Sequence, residues 1–146
     1  EVAKQYEPAI ARDGSRDAGA KVFAKTCAKC HKVDGVGHVV GPDISDVRNR
    51  AREALLYDIL DPNRVVEPRF TDYVVVTTDG RQFNGLLVGE TDATIVLRRP
   101  EGKEETINRS DIEIVKSTGK SLMPEGVEKE ITVEQMADLL EFLSGR

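Results

Sequence analysis

The chain has 146 residues, 39% of them hydrophobic and only 5% aromatic, with 21 basic and 26 acidic side chains and a formal charge of -5. That length suits one domain, or one domain carrying an insertion, and the acidic balance argues against nucleic acid as a partner. No apolar run approaches the roughly 20 residues needed to span a bilayer, and no basic start followed by an apolar stretch marks a signal peptide. The chain begins at Glu1 instead of Met, which reads as a processed mature chain or an excised domain.

Residues 1–14 are polar, contain Pro8 and Gly14, and read as an extended lead-in. A helix is expected from Ser15 or Asp17, either of which can cap it, to Thr26, with Gly19, Val22 and Phe23 on its inner face. A glycine on a buried helix face marks the close approach of another helix.

The next five residues, Cys27-Ala28-Lys29-Cys30-His31, read as a c-type haem attachment site. Two thiols three positions apart can form thioethers with the two vinyl groups of one porphyrin, and the adjacent histidine then becomes the proximal iron ligand. A dithiol redox pair or half of a zinc site are the alternatives. Cys27 and Cys30 are the only cysteines, so a zinc site would have to draw its remaining ligands from His38 and carboxylates. A thioredoxin-type motif would follow a strand, whereas a helix is expected before Cys27.

Residues 35–43 are rich in turn formers and suit a loop around the edge of a flat cofactor. Within it Pro42, whose nitrogen cannot donate, offers a carbonyl to the free ring N–H of His31. A second helix is expected from about Arg50 to Leu60, with Leu55, Leu56, Ile59 and Leu60 on one side, stopping at Asp61-Pro62. From Thr71 to Lys116 the period falls to two and turn signals recur, predicting strands at 73–78, 82–88, 93–99, 105–107 and 112–115. Val74 to Val76 and Ile95 to Leu97 are apolar on both strand faces, which predicts a sheet covered on both sides. Residues 117–124 return to loop. A last helix is expected from Val133 to Leu143, capped by Thr132 with Gln135 completing a capping box. The carboxylate pairs Glu104-Glu105 and Glu128-Glu130 read as solvated surface.

An iron held by His31 has a second axial position, for which His38, Met123 and Met136 are the candidates. Met136 falls on the apolar stripe of the last helix and reads as core filler. His38 lies only seven residues beyond His31, so its loop would have to round the porphyrin edge nearly fully extended. Met123 sits in an irregular loop before Pro124 and between Gly119 and Gly126, and is the favoured ligand.

Gly19-x-x-x-Phe23, the Cys27–His31 motif, Gly41-Pro42, Met123-Pro124 and the closing helix stand in the order seen in class I cytochromes c, which the chain resembles. The resemblance implies thioethers at Cys27 and Cys30, axial His31 and Met123, Pro42 as partner of the proximal ring, and a covalently attached haem c. Asp61-Pro62-Asn63, the Thr78-Asp79-Gly80 turn, Ser121 to Gly126 and the Ala137 to Leu143 ending resemble, more narrowly, the haem-binding C-terminal domain of large exported bacterial proteins. The fold class implied is α+β, a mainly α-helical class I core with an inserted antiparallel β meander or barrel. Residues 1–68 and 117–146 then form the haem domain and 69–116 the insertion.

The function expected is one-electron transfer without a substrate site, with a redox protein or fused dehydrogenase domain as partner and an exported, periplasmic setting. A haem enzyme or gas sensor with a labile distal Met123 is the competing expectation, and a colourless dithiol or zinc module a third.

Overall fold

A computed structural model describes residues 1–144. With 40% helix and 28% strand the architecture is α+β. Two bodies of structure, one helical and one a sheet, alternate along the chain.

The helical part is built from α1 (Val2–Tyr6), α2 (Pro8–Ala11), α3 (Arg16–Thr26), α4 (Arg52–Leu60) and α5 (Val133–Leu143). The first two replace the extended lead-in expected over residues 1–14. Tyr6, Ala9 and Ile10 share one face and bury against the core, and Pro8 does not break the run because it occupies the first turn of α2, where no amide donor is required. α3 starts where Ser15 accepts from the amide of Ala18 at 3.2 Å. The amide of Ser15 itself is held by Asp138 of α5 at 2.7 Å. α3 and α5 cross at Gly19, where an added Cβ would strike the carbonyl of Asp138. Beside the crossing the rings of Phe23 and Phe142 lie 5.5 Å apart. α5 carries the complete Thr132–Gln135 capping box. Leu55 and Leu56 of α4, and Met136, Leu139, Leu140 and Leu143 of α5, join Tyr6 and Phe23 in one core.

Arg52 binds the chain ends together. Its guanidinium pairs with Glu141 at 2.8 Å and donates to the carbonyls of Ala9 and Arg12, both at 3.0 Å. Among the described residues no helix is long and apolar enough to cross a membrane.

After α3 a small hairpin, β1 (Lys32–Val33) with β2 (Val36–Gly37), adds local pairing inside the expected loop. The larger sheet comprises β3 (Thr71–Thr77), β4 (Gln82–Glu90), β5 (Thr94–Arg98), β6 (Glu104–Asn108) and β7 (Ile112–Ser121). All neighbours are antiparallel, in the order β6-β5-β4-β3-β7, so β3 to β6 form a meander and β7 returns beside β3. β7 is longer than expected: residues 117–121, read as loop, pair with β3 down to Thr71↔Ser121. The polar Ser117 to Lys120 stretch has no alternation to betray a strand, because it is solvent-exposed on both faces.

The two faces of the sheet are covered unequally. Val75, Ile95, Leu97 and Ile107 close a small core, while Val74, Val76 and Val96 are half-buried and Ile114 and Val115 are exposed. Period-two geometry puts neighbouring residues on opposite faces; on the face opposite that core Leu86 is buried too, so both faces are covered along β4 while the edge strand β7 lacks cover. Glu128 departs from its expected surface position as well. It lies in a 3₁₀ turn, Val127–Glu130, and is buried with one carboxylate oxygen unpartnered, because Tyr6 donates to the carbonyls of Glu128 and Ile131, both at 2.7 Å, and draws this turn inward.

Candidate functional site

α3 ends at the attachment motif. The amides of Cys27 and Ala28 both donate to the carbonyl of Phe23, at 2.8 and 2.9 Å, and those of Cys30 and His31 fall back on the carbonyl of Cys27 at 3.1 and 2.9 Å. One tight turn thus presents two half-buried thiols and an imidazole. The following loop is laced to it: His38 donates its amide to the carbonyl of Ala28 at 3.0 Å, and Val40 and Gly41 donate theirs to that of Cys30 at 3.0 and 2.7 Å.

The imidazole is held from two sides. Nδ1 of His31 stands 2.9 Å from the carbonyl of Pro42. A carbonyl can only accept, so Nδ1 carries the proton and Nε2 is the nitrogen left with a lone pair. The ring edge rests against Gly41, where a Cβ would come within 2.8 Å of Cε1. Burial pushes the His31 pKa down and so favours the neutral ring, while the Pro42 hydrogen bond opposes that shift. A neutral imidazole with one free nitrogen is the form that ligates a metal.

Cys27 is pushed up to about 12, chiefly by burial and secondarily by the neighbouring Cys30. Cys30 is raised too, again by burial first, with Lys29 opposing. Dithiol redox centres work through a thiolate of lowered pKa, and this turn does the reverse. Nor do three or more His, Cys, Asp or Glu side chains gather at ion-binding distance among the described residues, which leaves the zinc alternative without ligands. A c-type haem fits: the thiols are free, the ring is oriented and neutral, and the bare backbone at Gly41 makes room for it.

Met123 belongs to a different loop. It is half-buried on a bend just after β7, and its amide donates to Oγ of Ser121 at 3.1 Å. With Asn63, Asp72, Thr118 and Glu125 it lines a cavity of about 230 Å³. A larger cavity of about 540 Å³ lies beside the loop that follows His31. Gly41 and Pro42 line it together with Phe70 and, from β4, Leu86 and Leu87; His31 and Met123 do not line it. The carbonyl of Phe70 accepts from Leu122, next to Met123, at 3.0 Å. Cys27, Cys30, His31 and Pro42 therefore form one cluster, and Met123 stands in a separate loop that is tied to Phe70 through the Leu122 amide. Met136 is fully buried in the helical core, and His38 is exposed.

Sequence reasoning missed the residues that support the Met123 loop, Asn63 and Phe70. The partners of Asn63 are Ser121 and Glu125, 58 and 62 positions away, and no local pattern announces them. The only signal was an Asn directly after the helix stop Asp61-Pro62. Residues 17–74, from the start of α3 through the Cys27–His31 turn into β3, match the family model described as Cytochrome c, and this match supports a class I cytochrome c domain with haem-based electron transfer.

Proposed function

We propose that the chain is a one-electron carrier that binds haem c through Cys27 and Cys30, with His31 and Met123 as axial ligands. The observation that carries this reading is the turn itself: two protonated thiols and a neutral imidazole, its Nε2 free, share one hydrogen-bonded loop. Haem c supplies a reversible ferric–ferrous couple when bound. The chain's own residues orient and shield it. The Pro42 carbonyl fixes the ring of His31 and raises the electron density on Nε2. The Met123 thioether, a soft donor, favours the reduced state and raises the potential relative to a second imidazole.

With both axial positions filled no site remains for substrate, so the role is a relay between redox partners, either separate proteins or a fused dehydrogenase domain. An exported, periplasmic setting follows from the chemistry, because covalent haem attachment takes place outside the bacterial cytoplasm. The sheet, expected over residues 69–116 and running from Thr71 to Ser121, is an insertion serving partner or interdomain contact; the exposed Ile114 and Val115 on the edge strand β7 support that use. A second reading, a haem enzyme or gas sensor with a labile Met123, draws on the cavity beside that residue, which gives its side chain room to swing away.

Optical spectra of Met123→Ala and Met136→Ala, taken with an acid–acetone extraction, test the proposal. Colour should stay with the protein in both variants, and only Met123→Ala should lose the sulfur-to-ferric charge-transfer band and admit cyanide. Colour passing into the organic phase would refute thioethers at Cys27 and Cys30. A band that survives Met123→Ala would refute the axial assignment, and a parent protein that already binds carbon monoxide freely would favour the labile reading.

A further inference from the structure

We infer that Asn63 is the positioning residue for Met123, a clamp that holds the methionine loop closed; this deepens the proposed axial role of Met123 and rests on it. Asn63 follows the end of α4 and is half-buried. Its Oδ1 accepts from the amide of Ser121 at 2.8 Å, and its Nδ2 donates to Oε1 of Glu125 at 2.6 Å. Met123 sits midway between those two residues. An amide donor on one side and a carboxylate acceptor on the other fix which way the carboxamide points, and both of its ends are used.

The loop needs an external hold. Gly119 and Gly126, on either side of it, both adopt positive φ, 73° and 87°, and glycines there impose little stiffness of their own. Among the described residues, beside the pairing of Ser121 with Thr71 at its start, three hydrogen-bonded attachments restrain it: Ser121 Oγ to the Met123 amide, the Phe70 carbonyl to the Leu122 amide, and the Asn63 carboxamide. The first is internal to the loop and the second ties it to the base of the sheet. Only Asn63 spans it from Ser121 to Glu125, and Asn63 is one residue from the buried Pro62 that closes α4. The helical core thereby sets where the methionine stands. Asp at this position would keep an acceptor for Ser121 but turn a second carboxylate on Glu125, while Ala would release both sides.

The test uses ferric holoprotein and imidazole as the competing ligand, because imidazole enters only when Met123 leaves. Asn63→Ala and Asn63→Asp should bind imidazole about tenfold faster than the parent, in line with loss of the hydrogen bond to the Glu125 carboxylate and, in Asn63→Ala, of the one from the Ser121 amide as well. Hydrogen exchange at the Ser121 amide should quicken in parallel, and the midpoint potential should fall. The double variant Asn63→Asp/Glu125→Gln reverses donor and acceptor without losing either bond, and should return the rate to that of the parent. Parent-like imidazole binding in Asn63→Ala would overturn the inference. If that variant does not accumulate folded, a double variant no slower than Asn63→Asp alone would overturn it equally. Persistence of the sulfur band in Met123→Ala would instead remove the axial role on which the inference depends, a result that no Asn63 variant can produce.

Discussion

The helical part and the sheet are held by different means. The helical core gathers twelve buried residues, and its central event is the crossing of α3 and α5, which lie near opposite ends of the chain. The sheet closes on four, and most of its ladders join strands that follow one another directly. A fault in the first breaks a contact that no local structure can replace, whereas a fault in the second is confined by the hydrogen bonds of neighbouring hairpins. The largest expected effect follows from this contrast. Leu140→Ala should lower global stability by about 2–5 kcal/mol. Leu97→Ala, equally buried, should strip hydrogen-exchange protection from β3 to β7 while α3 and α5 keep theirs. Loss of protection throughout the chain in both variants would show a single cooperative unit and dissolve the distinction.

A narrower probe is Gly19→Ala. The new Cβ would meet the Asp138 carbonyl and stand 2.7 Å from Cβ of Phe142, so the helices must part, at a cost of about 3 kcal/mol. Urea unfolding would register this, and a loss below about 1 kcal/mol would mean that the crossing yields more readily than a close-packed core allows.

The smallest effect is Tyr6→Phe, about 1–2 kcal/mol, since the carbonyls of Glu128 and Ile131 lose their shared donor. It carries a pH signature. Burial, with Glu128 nearby, raises the Tyr6 pKa above its ordinary 10.0. Below pH 10 the folded and unfolded chains both hold the proton and nothing changes. Above it the unfolded chain binds fewer protons than the folded one, so stability falls as pH rises towards the folded pKa. The phenylalanine variant should lack that alkaline decline, measured as the difference between the two stability curves.

What could be read from the sequence is what local chemistry dictates. Ser15 and Thr132 with Gln135 act within a few residues of themselves, and the apolar stripe of α5 and Gly19 on the inner face of α3 are marked by local helical spacing even though their contacts are distant. The carbonyl of Pro42 was legible for the same reason, lying eleven residues from His31. α1 and α2 were not, because each is only one turn or so long and the Pro8 that begins α2 reads locally as a break. The end of β7 was hidden by exposure, since Ser117 to Lys120 face solvent and pay no attention to period. Glu128 resembled any surface charge until Tyr6, more than a hundred residues away, drew its turn inward. Asn63 is the extreme case, a polar residue whose meaning lies entirely in partners brought near by the fold.

The pairing of Thr71 with Ser121 has a consequence for chain entropy. Along the backbone, roughly 50 residues separate these two, and closing a flexible loop of that length costs about 3.5 kcal/mol. The β3–β7 ladder meets that cost from its own hydrogen bonds, so the tether between α4 and Met123 shrinks to the short pieces on either side of the sheet. Melting of β3 and β7 at their shared base would restore the long tether at once, and the methionine would lose its confinement without any change in its own loop.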